Sequence, residues 1–280
     1  MIFVTDKGRM ANNIFQYGQL YAWGREHGRQ TMSMRFAYKY PYFRIAHTRY
    51  HNFMMYVLAK WAAKLHLIPT IVFDGEERGQ IEALKAHKHV LVTGWSVRFP
   101  ELFQKYKDEI VSLFEFDAPI RQHVATSMKQ SEPGTVKLGV HIRRGDYRTW
   151  CGGHYYFDDD QYLDVIRQFV RLQQGHKVDV YVCSNDPQLD ISKYRHALDG
   201  CGKTEEKCGV FYPQGNPAED LCLLSECDYI VGPLSTFTLV ASMYHNSPLY
   251  WMADISQRLS MDDFHTFDYQ ARHYDEYFIP

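Results

Sequence analysis

No stretch of the chain approaches the roughly 18 uninterrupted apolar residues that a membrane-spanning helix needs. No secretory leader is expected either, because Met1-Ile2-Phe3-Val4-Thr5-Asp6 reaches a charge before an apolar run can build. The expectation is a cytoplasmic protein, at most resting on the inner face of a membrane. An excess of basic charge is lacking: 31 Lys and Arg stand against 33 Asp and Glu. Without an electropositive surface to neutralise phosphates, a nucleic-acid partner is not expected. The six cysteines (Cys151, Cys183, Cys201, Cys208, Cys222, Cys227) fall at irregular spacings with no C-x-x-C pair, which argues against zinc-ribbon or dithiol redox chemistry and for reduced thiols. The absence of a Gly-Lys-Ser/Thr loop argues against an ATPase or kinase of that type. The 14 His include no H-E-x-x-H, and no metal site is expected.

What is present reads as an ordinary folded protein with one excess. Hydrophobic residues at 45% and charged residues at 23% are close to globular averages, whereas aromatics reach 15%, including 21 Tyr. Flat amphipathic rings suit carbohydrate or base stacking as well as cores, and the core reading comes first. Along the chain, Ile2 to Thr5 reads as a strand and Asn12 to His27 as a helix stopped by Gly28. Tyr38 to Leu67, dense in aromatics and Met, reads as buried helices with a loop around Pro41, a peripheral membrane contact being the alternative. Val90 to Gly94 follows as a strand, then Pro100 to Phe114 and Ala118 to Gln130 as helices. The polar, turn-rich stretch 129–134 suggests a boundary, with domains 1–130 and 131–280. Beyond it, strands at Val136–Ile142, Val178–Cys183, Tyr229–Val231 and Leu249–Met252 alternate with helices at Asp160–Gln173, Pro187–Leu198, Ala218–Glu226 and Ser235–Tyr244. That alternation means parallel strands with crossovers, an α/β fold that binds ligands at the carboxyl ends of its strands.

The chemistry concentrates where two strands end. In Gly139-Val-His-Ile-Arg-Arg-Gly-Asp-Tyr147 an apolar strand runs into two arginines and an aspartate, and alternation puts His141 and Arg143 on one face. Guanidinium forks match phosphate oxygens, so the Arg143-Arg144 pair suits a diphosphate; a surface ion pair with Asp146 is the plainer alternative. In Asp228-Tyr-Ile-Val-Gly-Pro-Leu-Ser-Thr-Phe237 a strand turns into a helix whose free N–H groups, with the hydroxyls of Ser235 and Thr236, form an anion site. Asp220, in the first turn of its helix, either complements the dipole or accepts hydrogen bonds from a guanine edge. Asp158-Asp159-Asp160 has the look of a metal-binding carboxylate run but directly precedes an amphipathic helix, and reads as a helix N-terminus.

These residues resemble the α-1,2-fucosyltransferases. His141-Ile-Arg-Arg-Gly-Asp-Tyr147 is similar to their H-x-R-R-x-D-Y signature, and Gly8-Arg-Met-Ala-Asn-Asn-Ile-Phe-Gln-Tyr17 to their N-terminal glycine-rich motif. Ser184-Asn185-Asp186-Pro187 resembles the S-D-D-P turn, and Glu219 to Cys227 the D-L-x-L-M-S-x-C helix. The resemblance implies a GT-B-like fold of two Rossmann-like halves facing a cleft, with the nucleotide sugar held by the C-terminal half and the acceptor by the N-terminal half. It implies inverting transfer of fucose from GDP-fucose, in α-1,2 linkage, to a glycan or lipid-linked glycan, without a metal. By the same resemblance His141 and Asp220 border the guanosine, Arg143 the β-phosphate, and Ser235, Thr236 and Phe237 the phosphate turn. Asp186 lies in a donor-side turn, and Asn12 and Asn13 border sugar and acceptor. Asp146 is the leading candidate for the catalytic base, ahead of His154 and Asp186. The chain departs from the family at Pro233-Leu-Ser-Thr-Phe-Thr-Leu239, which lacks the usual Asn and two Trp, so another nucleotide sugar or a non-catalytic binding relative is the alternative.

Overall fold

Two parallel sheets organise the chain, each built in its own compact unit. The computed structural model describes residues 1–74, 77–173, 175–199 and 208–277, and Cys201 lies outside them. The first unit, Met1–Ala118, orders its elements as β1 (Ile2–Val4), α1 (Met10–Glu26), β2 (Thr31–Ser33), α2 (Phe53–Lys64), β3 (Thr70–Phe73), α3 (Glu77–Ala86), β4 (Val90–Gly94), α4 (Pro100–Lys105) and α5 (Lys107–Leu113). Its sheet runs β2-β1-β4-β3, all parallel. The second unit, from Pro119 onward, takes in α6 (Ala118–Met128) and then β5 (Val136–Ile142), α7 (Asp159–Leu172), β6 (Val178–Ser184), α8 (Ile191–Leu198), β7 (Gly209–Phe211), α9 (Pro217–Ser225), β8 (Tyr229–Gly232), α10 (Thr236–His245), β9 (Leu249–Trp251) and α11 (Phe267–His273).

Every strand pair in the second sheet is parallel, in the order β7-β6-β5-β8-β9. The first strand in sequence is therefore central: the chain winds outward through β6 and β7, returns, and winds the other way through β8 and β9. The crevice of such a sheet opens at the carboxyl ends of the two strands where direction reverses, here β5 and β8. Both faces of β5 and β6 are covered: Leu138, Val140, Ile142, Val178, Val180 and Val182 are in the core with Ile166 and Phe169 of α7, and His141, Asp179, Tyr181 and Cys183 on the other side are buried as well. Asp158 caps α7 through a reciprocal capping box with Gln161, and Asp160 pairs with Lys193 at 2.9 Å, so the acidic triplet is indeed a helix start.

Several sequence expectations shift. The turn-rich stretch 129–134 is not a linker between the units, which divide at 118/119 instead of 130/131. Ser131 is tied into the second sheet by hydrogen bonds to Asp179 and, at 2.7 Å, to the Tyr181 hydroxyl. The expected helix 100–114 breaks at Tyr106, where Lys105 and Tyr106 both reach Glu26 of α1, at 2.5 and 2.8 Å. The helix expected from Pro187 begins at Ile191, capped by Asp190, because Pro187 to Leu189 form a turn. Strands β2, β3 and β7 are three or four residues long and had no reading, too short to show an alternation. Gly28, at φ +62, ends α1 as expected.

The largest correction concerns residues 38–67, expected as buried helices. They fold as a short 3-10 turn at Arg44–His47 followed by α2, in which only Ala59 is buried. Phe53, Met54, Leu58, Trp61, Leu65 and Leu67 are each more than half exposed. A single narrow face, with Met55, Ala59 and Tyr56 against Phe3, Met32 and Met34, holds α2 to the sheet.

Candidate active site

At the switch point of the second unit, the end of β5 and the turn after β8 meet. The ring of His141 lies on that of Phe237 at 4.8 Å between centroids, and the Tyr147 hydroxyl donates to the Leu234 carbonyl at 2.7 Å. Ser235 caps α10 by accepting from Phe237 N at 3.0 Å, while Thr238 Oγ1 donates to Ser235 O and accepts from Trp251 Nε1 at 2.9 Å. The turn is thus fixed from within, with the α10 N-terminus beside His141. Gly232 makes the approach of the two strands possible: a Cβ there would stand 2.9 Å from Thr238 Cγ2 and 3.2 Å from both Cβ and O of His141.

His141 is buried and Nδ1 has no hydrogen-bond partner among the described residues. Burial, and then the charge of Arg143, pull its pKa down to about 3, so the imidazole is neutral near pH 7. Arg143 follows on the same face with a mostly covered side chain. Its Nη2 donates to both oxygens of Asp146 at 2.8 Å, its guanidinium stacks on Tyr147 at 5.2 Å, and its buried Nε has no partner among the described residues. The ion pair offered as the plainer reading is therefore present, and it leaves the Nε–H unused among the described residues.

Arg144 does not join Arg143. Alternation sends it to the α7 side, where Nη2 donates to Asp159 Oδ1 at 2.5 Å and the guanidinium lies over Tyr156 and Tyr162. Asp159 also accepts from the Tyr194 hydroxyl at 2.8 Å. The backbone of Arg144 exchanges two hydrogen bonds with the Asn185 side chain after β6, at 2.8 and 3.2 Å. The expected two-arginine fork is thus one arginine plus a buried brace. Tyr162 was not singled out from sequence, although it sits on the apolar stripe of α7. Its hydroxyl donates to His141 O at 3.2 Å and accepts from Arg143 N at 3.4 Å, locking the end of β5.

Asp220 stands in the first turn of α9, whose N-cap Asn216 forms a capping box with Glu219. Its backbone carbonyl receives the Cys183 thiol from the end of β6 at 3.7 Å, so it belongs to the same carboxyl edge of the sheet. Burial, then the neighbouring Glu219 charge, push its carboxyl up to about 7. Asp186 is spent locally, accepting from Gln188 N at 2.9 Å in the turn after β6. His154 is exposed, edge-on to Tyr155 at 4.7 Å, and no contact joins it to His141 or Arg143 among the described residues. In the first unit, Asn13 is buried and consumed by the β1–α1 turn, accepting from Lys7 N and donating to the carbonyls of Lys7 and Arg9. Asn12 is partly exposed one position earlier. Among the described residues no cluster of three His, Cys, Asp or Glu is arranged to hold a metal. The five described cysteines are free thiols.

A parallel α/β unit with a cation, a helix N-terminus and a buried neutral imidazole at its switch point can grip a nucleoside diphosphate, and two units built on parallel sheets in one chain make a GT-B-like fold. This is the build of a nucleotide-sugar glycosyltransferase. The chain belongs to glycosyl transferase family 11, whose sequence model matches residues 1–248. It is 26% identical over 290 residues to the mouse (Mus musculus) galactoside 2-alpha-L-fucosyltransferase Sec1, covering 95% of this chain and 70% of that one. Among solved structures, a mutant Arabidopsis thaliana FUT1 in complex with GDP matches with a TM-score of 0.60 at 13% identity, over 95% of this chain and 73% of that one. POFUT1 in complex with GDP-fucose matches with a TM-score of 0.57 at 13% identity, over 92% and 95%. These two likenesses bear on the fold.

Proposed function

We propose that the protein transfers fucose from GDP-fucose, with inversion and without a metal, to a hydroxyl of a glycan or lipid-linked glycan, in α-1,2 linkage. The observation that carries this reading is the position of Arg143: a cation at the switch point, beside the N-terminus of α10, with Nε–H unpartnered among the described residues. As the sugar–phosphate bond breaks, the sugar gains oxocarbenium character and the diphosphate gains negative charge. Arg143 and the N–H groups of the Ser235-Thr236-Phe237 turn stabilise that charge where it develops. A phosphate arriving at Arg143 competes with Asp146 for the guanidinium and loosens that ion pair, which gives Asp146 its candidacy as base for the acceptor hydroxyl. Asp220 reads the guanine N–H edge, and His141 borders the nucleoside with Phe237. Arg144 positions the loop from behind. In this reading the second unit takes the donor, and Asn12 in the first turn of α1 is on the acceptor side.

Calorimetry in EDTA with GDP, UDP and their sugars, on wild type and Arg143→Ala, tests it. Selective GDP binding that weakens in the variant, with turnover reduced about 100-fold or more, is the expected result. Selective UDP binding overturns the donor assignment. Pro233, Leu234 and Leu239 favour keeping a different nucleotide sugar as second reading, since Leu239 fills buried core where family members carry a Trp.

A further inference from the structure

The outward side of α2 carries a stripe that the fold leaves uncovered. Met54, Leu58, Trp61 and Leu65 recur at i, i+4, i+7 and i+11, which places them along one line of the helix, and all are more than half exposed. The inward side is apolar as well, so α2 is apolar nearly all round yet is docked along only one narrow face. A helix of that kind belongs in a core or against hydrocarbon. Lys60 and Lys64 border the stripe, with Lys64 Nζ 4.9 Å above the Trp61 ring. The charge around them is one-sided: residues 27–73 contain seven Lys and Arg and no Asp or Glu, in a chain of net charge −2.

We propose that α2 docks on the surface of an anionic phospholipid bilayer, its apolar stripe at the boundary of headgroups and acyl chains and its lysines at the phosphates. Long lysine stems reach headgroups while their methylenes lie along apolar surface, and anionic leaflets attract such clusters. A second copy of this chain is the weaker occupant, because facing two such surfaces would appose cations with no acid between them. No described helix is long and apolar enough to cross a membrane, so the contact is peripheral. The inference stands apart from the nucleotide chemistry, whose residues lie in the other unit.

Co-sedimentation of the full chain with phosphatidylcholine vesicles, with and without phosphatidylglycerol, is the test. The expected result is binding to the anionic vesicles that weakens about fivefold for each of Lys60→Gln and Lys64→Gln and is lost in Leu58→Glu/Trp61→Glu. Circular dichroism and melting of the variants are expected to match wild type, because these side chains point outward. Wild type left in the supernatant with anionic vesicles overturns the proposal. So does a wild-type dimer in sedimentation equilibrium that Leu58→Glu/Trp61→Glu dissociates while vesicle binding is absent.

Discussion

At the scale of single residues, the protonation of Asp220 can be measured. Asp220 titrates near 7 in the folded protein, whereas a guanine edge needs its carboxylate form. GDP affinity should therefore rise between pH 6 and pH 8, and Asp220→Asn should weaken binding and flatten that rise; calorimetry across the range checks both. The same raised pKa costs stability. An aspartate whose folded pKa exceeds its unfolded value stabilises fully below the unfolded value and loses that contribution as pH rises to the folded one, so Asp220→Asn should melt higher than wild type at pH 8, by the equivalent of roughly 2–4 kcal/mol. Arg144 poses a different question, since its guanidinium is buried against Asp159 and two tyrosine rings. Arg144→Ala leaves Asp159 with only the Tyr194 hydroxyl and Lys193 and should cost about 1–3 kcal/mol in urea unfolding. Sequence placed Arg143 and His141 on one face correctly because strand alternation is rigid. The same alternation turns Arg144 to the opposite side, but the letters alone do not show that this side is closed by Asp159, Tyr156 and Tyr162.

Among the elements, the one joint on which the site depends is the crossing of β5, β8 and α10. Gly232→Ala would push a methyl into Thr238 and His141 at once, and the overpacking should cost about 1–3 kcal/mol. Because the displaced groups are the His141 strand end and the start of α10, GDP affinity should fall further than a purely global loss would produce. Calorimetry at a temperature well below melting distinguishes the two. At this scale the second half was legible, since long apolar strands and capped amphipathic helices carry their own periodicity. The first half was less so. Its edge strands β2 and β3 span three and four residues, and α2 shows apolar residues on both sides, so hydropathy alone could not say which side meets the sheet.

For the molecule as a whole, each unit hides a neutral histidine. His51 accepts from Ser33 N at 3.0 Å, and burial lowers its pKa to about 4; His141 is lowered to about 3. A depressed folded pKa means that acid favours the unfolded chain, which protonates first. Stability contributed by both groups is full above about pH 6.5 and declines as pH falls toward 4. Thermal melts from pH 7.5 to 5 should show a falling midpoint, and the Asp220→Asn variant should fall more steeply, because its opposing contribution is gone. The strand order adds a constraint of time. β5, which carries the candidate active-site motif, must wait for its β8 neighbour, about ninety residues later in the chain. At ribosomal rates of about 5–20 residues per second that flank of β5 stays open for roughly 5–18 seconds during synthesis. Slower elongation or a chaperone covering that edge would then govern how much of the newly made chain reaches the folded state.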